Sequence, residues 1–141
     1  MAKSSLIQII QKYSIYSVYG FFELIYFFFK TKIFFKDSKL IRFPIFIRGR
    51  EFIDFGKLMT TGRYCRIDAI PIFNYSRKNK LITFGSNVEI GDRVHIASVE
   101  GVEIGDRCLI ASNIYISDHD HGKTNMSEMR DAPKNRELNQ K

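Results

Sequence analysis

The chain has 141 residues, 45% of them hydrophobic, and a formal net charge of +7. That is enough for one domain with a proper core and too little for two ordinary ones. Its two cysteines, Cys65 and Cys108, form no CxxC pair and no secretory spacing, and no signal peptide with a cleavage site is visible, so no disulfide scaffold is expected and a reducing cytoplasm is the expected location.

The basic charge lies at the start. Residues 1–50 hold nine Lys/Arg against two Asp/Glu and carry the whole +7, whereas residues 51–141 hold thirteen of each. Such a segment asks for an anionic partner, membrane surface or nucleic acid. The apolar block Phe21, Phe22, Leu24, Ile25, Tyr26, Phe27, Phe28 and Phe29, bounded by Lys12, Lys30 and Lys32, is foreign to a nucleic-acid face, so no nucleic-acid partner is expected. From Ser14 to Phe29 the run is interrupted by Gly20 and Glu23 and falls short of the ~20 clean residues of a spanning helix. Peripheral attachment at the inner face of a membrane fits better than spanning. The expected organisation is a basic, aromatic N-terminal segment over residues 1–40, helical over much of 4–30, ahead of a second unit over 41–141. Packing onto that unit and contact with lipid both remain open for the Phe-rich face, because periodicity does not name the partner of an apolar face.

Beyond that segment the chain repeats itself. An aliphatic-x-aliphatic unit recurs at Ile82/Phe84, Val88/Ile90, Val94/Ile96, Val102/Ile104, Cys108/Ile110 and Ile114/Ile116, with steps of 6, 6, 8, 6 and 6 residues. A fainter set stands upstream at Ile53/Phe55, Met59/Thr61 and Cys65/Ile67. Glycine follows the second member at Gly56, Gly62, Gly85, Gly91 and Gly105, which reads as permissive backbone at a turn. A step of six suits a short strand followed by a corner, three of which close one coil of a solenoid. Stacked coils predict inward columns Phe55–Phe84–Ile104, Thr61–Ile90–Ile110 and Ile67–Ile96–Ile116. The outward columns are Asp54–Thr83–Glu103, Thr60–Glu89–Leu109 and Arg66–His95–Tyr115. On this pattern Ile90, Ile96, Ile104, Ile110 and Ile116 are buried, Cys65 and Cys108 are small core residues, and 67–84 is one long excursion. Extra residues always follow the third unit, after Ile67, after Ile96 and after Ile116, where the chain reads "SDHDHG". Insertions kept to one corner are how a solenoid builds a site along an edge.

These hexapeptide units and the later "SDHDHG" resemble the left-handed parallel β-helix acyltransferases, closest to bacterial lipopolysaccharide and capsule O-acetyltransferases of the maltose/galactoside acetyltransferase-like group. The resemblance covers about residues 40–141. It implies an all-β, left-handed β-helix behind an N-terminal helical segment, a homotrimer, acetyl-CoA as co-substrate, no metal, and a sugar or lipid-linked glycan as acceptor. It also implies a loop histidine as general base, five residues after the last inward aliphatic in the related sugar acetyltransferases. Counting from Ile116 reaches His121, with His119 three residues after. His119 would then bind the acceptor or orient its neighbour, with Asp118 or Asp120 available to fix a tautomer. Asp118, His95, Ser98 and Asp68 are the candidate acceptor-binding residues, all near the same corner. The chemistry suits a histidine: a sugar hydroxyl attacks a thioester well only when a neighbouring base takes its proton as the bond forms.

Such proteins normally continue past the histidine loop into further coils that form much of the CoA groove. The stop at Lys141 therefore carries the expectation that the donor half is largely missing and that the chain is a fragment. Two other readings stay open. His95, His119 and His121 could supply three zinc ligands, as in the γ-class carbonic anhydrases, or the chain could be a non-catalytic fragment.

Overall fold

The computed structural model describes residues 17–71, 80–121, 132 and 138–140, with the side chains of His121 and 138–140 outside the description. The chain enters through helix α1 (Val18–Phe34), whose N-terminus is capped by the Ser17 side chain accepting from the Gly20 N–H at 3.1 Å. The helix runs four residues past the expected limit, to Phe34; the expectation over residues 4–16 lies outside the described residues. Only Phe27 and Thr31 are buried on it. One turn apart, they share the face turned to the solenoid. Thr31 Oγ1 donates to the Phe27 carbonyl at 2.7 Å and accepts from the Ile41 N–H at 2.8 Å, fastening helix to first strand. Glu23 pairs with Arg63, and Arg50 donates to the Phe34 carbonyl.

Eleven short strands follow. They are β1 (Leu40–Ile41), β2 (Ile45–Arg48), β3 (Ile53–Asp54), β4 (Thr60–Thr61), β5 (Cys65–Ala69), β6 (Ile82–Phe84), β7 (Glu89–Ile90), β8 (His95–Ser98), β9 (Val102–Ile104), β10 (Leu109–Ile110) and β11 (Tyr115–Ser117). From β1 to β8 each pairs in parallel with the strand three places on, giving sheets β1-β4-β7-β10, β2-β5-β8-β11 and β3-β6-β9. Three sheets visited in rotation are the sides of a three-sided parallel solenoid, with one α-helix and otherwise nearly all-parallel β structure among the described residues.

The register follows the predicted columns coil by coil: Phe84 pairs with Ile104, Thr61 with Ile90 and Ile90 with Ile110, Ile67 with Ile96 and Ile96 with Ile116. Ile90, Ile96 and Ile104 are buried. Ile110 and Ile116, expected to be buried, are half-buried, because among the described residues no further coil stacks on theirs. Glu89, Glu103 and Tyr115 are exposed and His95 is half-buried. The first coil begins earlier than the faint repeats indicate, since β1 and β2 already pair with β4 and β5. The excursion is shorter than expected, because β5 runs on to Ala69 and Leu81 is already buried; residues 72–79 lie outside the described residues.

The repeat glycines serve mainly a different purpose from the one their position suggests. Positive φ falls two residues further on, at Leu58, Tyr64, Asn87, Arg93, Arg107 and Asn113, and of the repeat glycines only Gly56 shares it, at 58°. What Gly62 provides is room: a Cβ there would lie 2.2 Å from Asp92 Oδ1 and 2.5 Å from the Asp92 backbone nitrogen on the next coil. Coils stacked at ~4.8 Å leave no space at such a corner for a side chain aimed along the axis.

Candidate active site

The site forms at the corner where β8 and β11 end. One coil below the histidine loop, the eight-residue step places Val99, Glu100 and Gly101 between β8 and β9, and their N–H groups converge on a single carboxylate. Asp118 Oδ1 accepts from the Val99 N–H at 3.0 Å, and Oδ2 from those of Glu100 and Gly101 at 2.9 and 2.8 Å. Ser98 Oγ lies 2.6 Å from Oδ2 and 3.0 Å from the Leu81 carbonyl; its one proton goes to the closer, charged acceptor. Burial would raise the Asp118 carboxyl, but hydrogen bonds from Ser98, His119 and the Val99 and Glu100 N–H groups outweigh it and hold the group well below the usual carboxylate range.

The anchored carboxylate fixes the adjacent imidazole. His119 Nδ1 is 2.9 Å from Asp118 Oδ1 and the ring is buried, 5% exposed. An ionised carboxylate only accepts, so Nδ1 carries the proton, and in the neutral ring the basic lone pair is on Nε2. Ser117 Oγ donates to the His119 carbonyl at 2.9 Å and lies 3.2 Å from Nδ1. The backbone of β12 (His119–His121) pairs antiparallel with β13 (Leu138–Gln140), His119 opposite Gln140 and His121 opposite Leu138. The side chain of His121, the residue favoured by spacing, lies outside the described residues.

A second cluster occupies the outer face of the same sheet. Asp68, buried, accepts from Arg66 Nε at 2.7 Å and lies 3.2 Å from His95 Nε2, and the His95 ring is 5.0 Å from that of Tyr115. Beside it Phe46, Arg48, Tyr64, Arg66 and Asp68 line a groove of about 460 Å³. Asp68, Ala97 and Ser117 are in register on successive coils, so Asp68 stands two rungs, roughly 10 Å, below Ser117.

Of the residues singled out in the sequence, His119, Asp118 and Ser98 come together, while His95 and Asp68 join each other lower on the sheet. Ser98, expected to offer its hydroxyl to an acceptor, is completely buried with that hydroxyl engaged on Asp118. Asp118, also expected to touch the acceptor, is occupied by its donors and by His119. The Val99–Gly101 amides and Ser117 were not anticipated; the two extra residues in the Ile96-to-Ile104 step were the available signal. Cys65 is buried in the core, and burial pushes its thiol pKa up, so it is inert as a nucleophile. Among the described residues no three His, Cys, Asp or Glu side chains converge as a metal site would require.

The three-sided parallel solenoid thus carries a histidine–carboxylate pair at one corner, and the chain is similar to a known protein. The chain is 38% identical over 118 residues, 84% of its own length, to the "Putative lipopolysaccharide biosynthesis O-acetyl transferase WbbJ" of Escherichia coli (strain K12). It spans 57% of that protein's length. No protein-family profile matches the chain, and no solved structure does.

Proposed function

We propose that the protein is an acetyl-CoA-dependent O-acetyltransferase acting on a sugar hydroxyl in lipopolysaccharide or surface polysaccharide biosynthesis. In this proposal the solenoid is a left-handed β-helix, the working unit is a homotrimer, and the reaction takes place on the cytoplasmic side. The observation that carries it is the His119–Asp118 pair at the solenoid corner, and the similarity to WbbJ supports the reaction class. Acetyl-CoA supplies an activated acyl group. The protein's own part is to take the acceptor hydroxyl proton on His119 Nε2 while Asp118, held by the Val99–Gly101 amides and Ser98, keeps Nδ1 protonated and stabilises the imidazolium that forms. Spacing favours His121 as the base; the described geometry favours His119, because that ring is oriented by a carboxylate that is itself fixed. Arg66, Asp68, His95 and Tyr115, on the outer face of the same sheet, are the surface proposed to receive the acceptor.

Release of CoA thiol from acetyl-CoA, followed with a panel of sugar acceptors, tests this. His119→Ala is expected to lower turnover by ~10²–10⁴-fold and His121→Ala by less. The reverse order would assign the base to His121, and unchanged turnover in both would end the enzyme reading.

A further inference from the structure

Helix α1 is amphipathic in the inverse sense: its narrow stripe meets the protein and its broad apolar face meets solvent. Phe22 is 64%, Phe29 62% and Ile33 66% exposed, and Phe21, Ile25 and Phe28 accompany them. At 100° per residue these six positions span roughly the half of the helix opposite Phe27 and Thr31. The helix's one acidic residue, Glu23, is turned inward and neutralised by Arg63. Its two lysines flank this face: Lys30 Nζ lies 4.2 Å from the centre of the Phe43 ring and 5.2 Å from that of Tyr26, while Lys32 Nζ donates to the Ser38 carbonyl at 2.8 Å and lies 5.7 Å from the centre of the Phe28 ring. Lys36 and Lys39 follow in the exposed connection to β1.

We infer that this face docks the protein onto an anionic lipid bilayer, the helix lying in the interface plane with its phenylalanines among the acyl chains and the lysines at the headgroups. Charge decides between lipid and a second copy of the chain. The entire +7 resides in residues 1–50, so two identical faces would bring lysine against lysine, whereas anionic headgroups supply the opposite sign. Length fits lying rather than crossing: 17 helical residues cover about 25 Å, and among the described residues no helix is long and apolar enough to cross a membrane. The inference is independent of the proposed reaction.

The chain has no tryptophan, so Phe29→Trp places a single reporter on the face and Leu109→Trp, on an exposed solenoid position, provides a control. The full chain is mixed with phosphatidylcholine vesicles with and without phosphatidylglycerol. Phe29→Trp emission should shift to the blue and be quenched by acyl-brominated lipid in the anionic vesicles, while Leu109→Trp stays unquenched. In the otherwise unaltered chain, Phe22→Ser with Phe29→Ser should lower the partition coefficient by on the order of tenfold per residue. Adding salt should weaken binding. The inference is overturned if the double-serine chain partitions undiminished. It is equally overturned if Phe29→Trp is already blue-shifted in buffer and indifferent to vesicles, since the face would then be covered by a second copy, visible as a larger sedimenting species, or by residues 1–16.

Discussion

Asp118→Ala removes the common acceptor of five donors, and the cost follows from which of them water or a neighbour can rescue. The Glu100 and Gly101 N–H groups belong to exposed residues and regain water. Ser98 Oγ can turn to the Leu81 carbonyl, already 3.0 Å away. The Val99 N–H, on a residue 2% exposed, has no such recourse, and His119 Nδ1 loses its carboxylate partner at 2.9 Å. A buried donor left unpaired costs ~1–3 kcal/mol, so the variant should lose about 2–4 kcal/mol of unfolding free energy at neutral pH, read from urea denaturation with the slope unchanged. The same measurement has a pH arm. Because the folded-state pKa of Asp118 is depressed, the unfolded chain binds more protons. The contribution is therefore fully present above the ordinary carboxylate value near 4 and is lost as acid carries the pH down toward the folded value. The gap between native and variant chains should accordingly narrow below about pH 4. A loss under ~1 kcal/mol, or a gap that does not change with acid, would refute the claim that Asp118 is held by dry, charge-assisted hydrogen bonds.

Two further perturbations test the scaffold. Thr31→Val strands the Ile41 N–H, whose residue is 0% exposed; a loss of ~1–3 kcal/mol is expected, with earlier proteolysis between helix and solenoid. Gly56→Ala and Gly105→Ala alter the same corner in different coils. At Gly56 a Cβ would meet the Gly85 carbonyl oxygen at 2.2 Å with φ at +58°, whereas at Gly105 nothing lies within 4 Å. The first should cost several kcal/mol and the second stay within ~0.5 kcal/mol, both measured by thermal or urea unfolding.

The columns were legible because six-residue periodicity binds sequence distance directly to position on a three-sided coil, and Ile96 opposite Ile116 needs no further information. β1 and β2 were not legible: Leu40–Ile41 and Ile45–Arg48 carry no corner glycine in step with the later repeats, and their place is set by pairing with Thr60–Thr61 and Cys65–Asp68. The loop histidines stood out by composition. The carboxylate's partners did not, because three of them are backbone N–H groups, which have no letter in a sequence. The inward placement of Ser98 is hidden for a related reason: at the end of β8 a serine facing an acceptor and a serine bonded to Asp118 are spelled the same way.

The coil resets its phase at every corner, and this gives the molecule a freedom that hairpin sheets lack. A two-residue insertion within a strand pairing would displace everything after it, yet Val99–Gly101 adds its extra length between β8 and β9 while Ile116 still lands on Ile96. Length at that edge is decoupled from the stacking of the remaining sides. The edge can therefore diversify its reach, as the backbone cradle for Asp118 already does, without renegotiating the core beneath it.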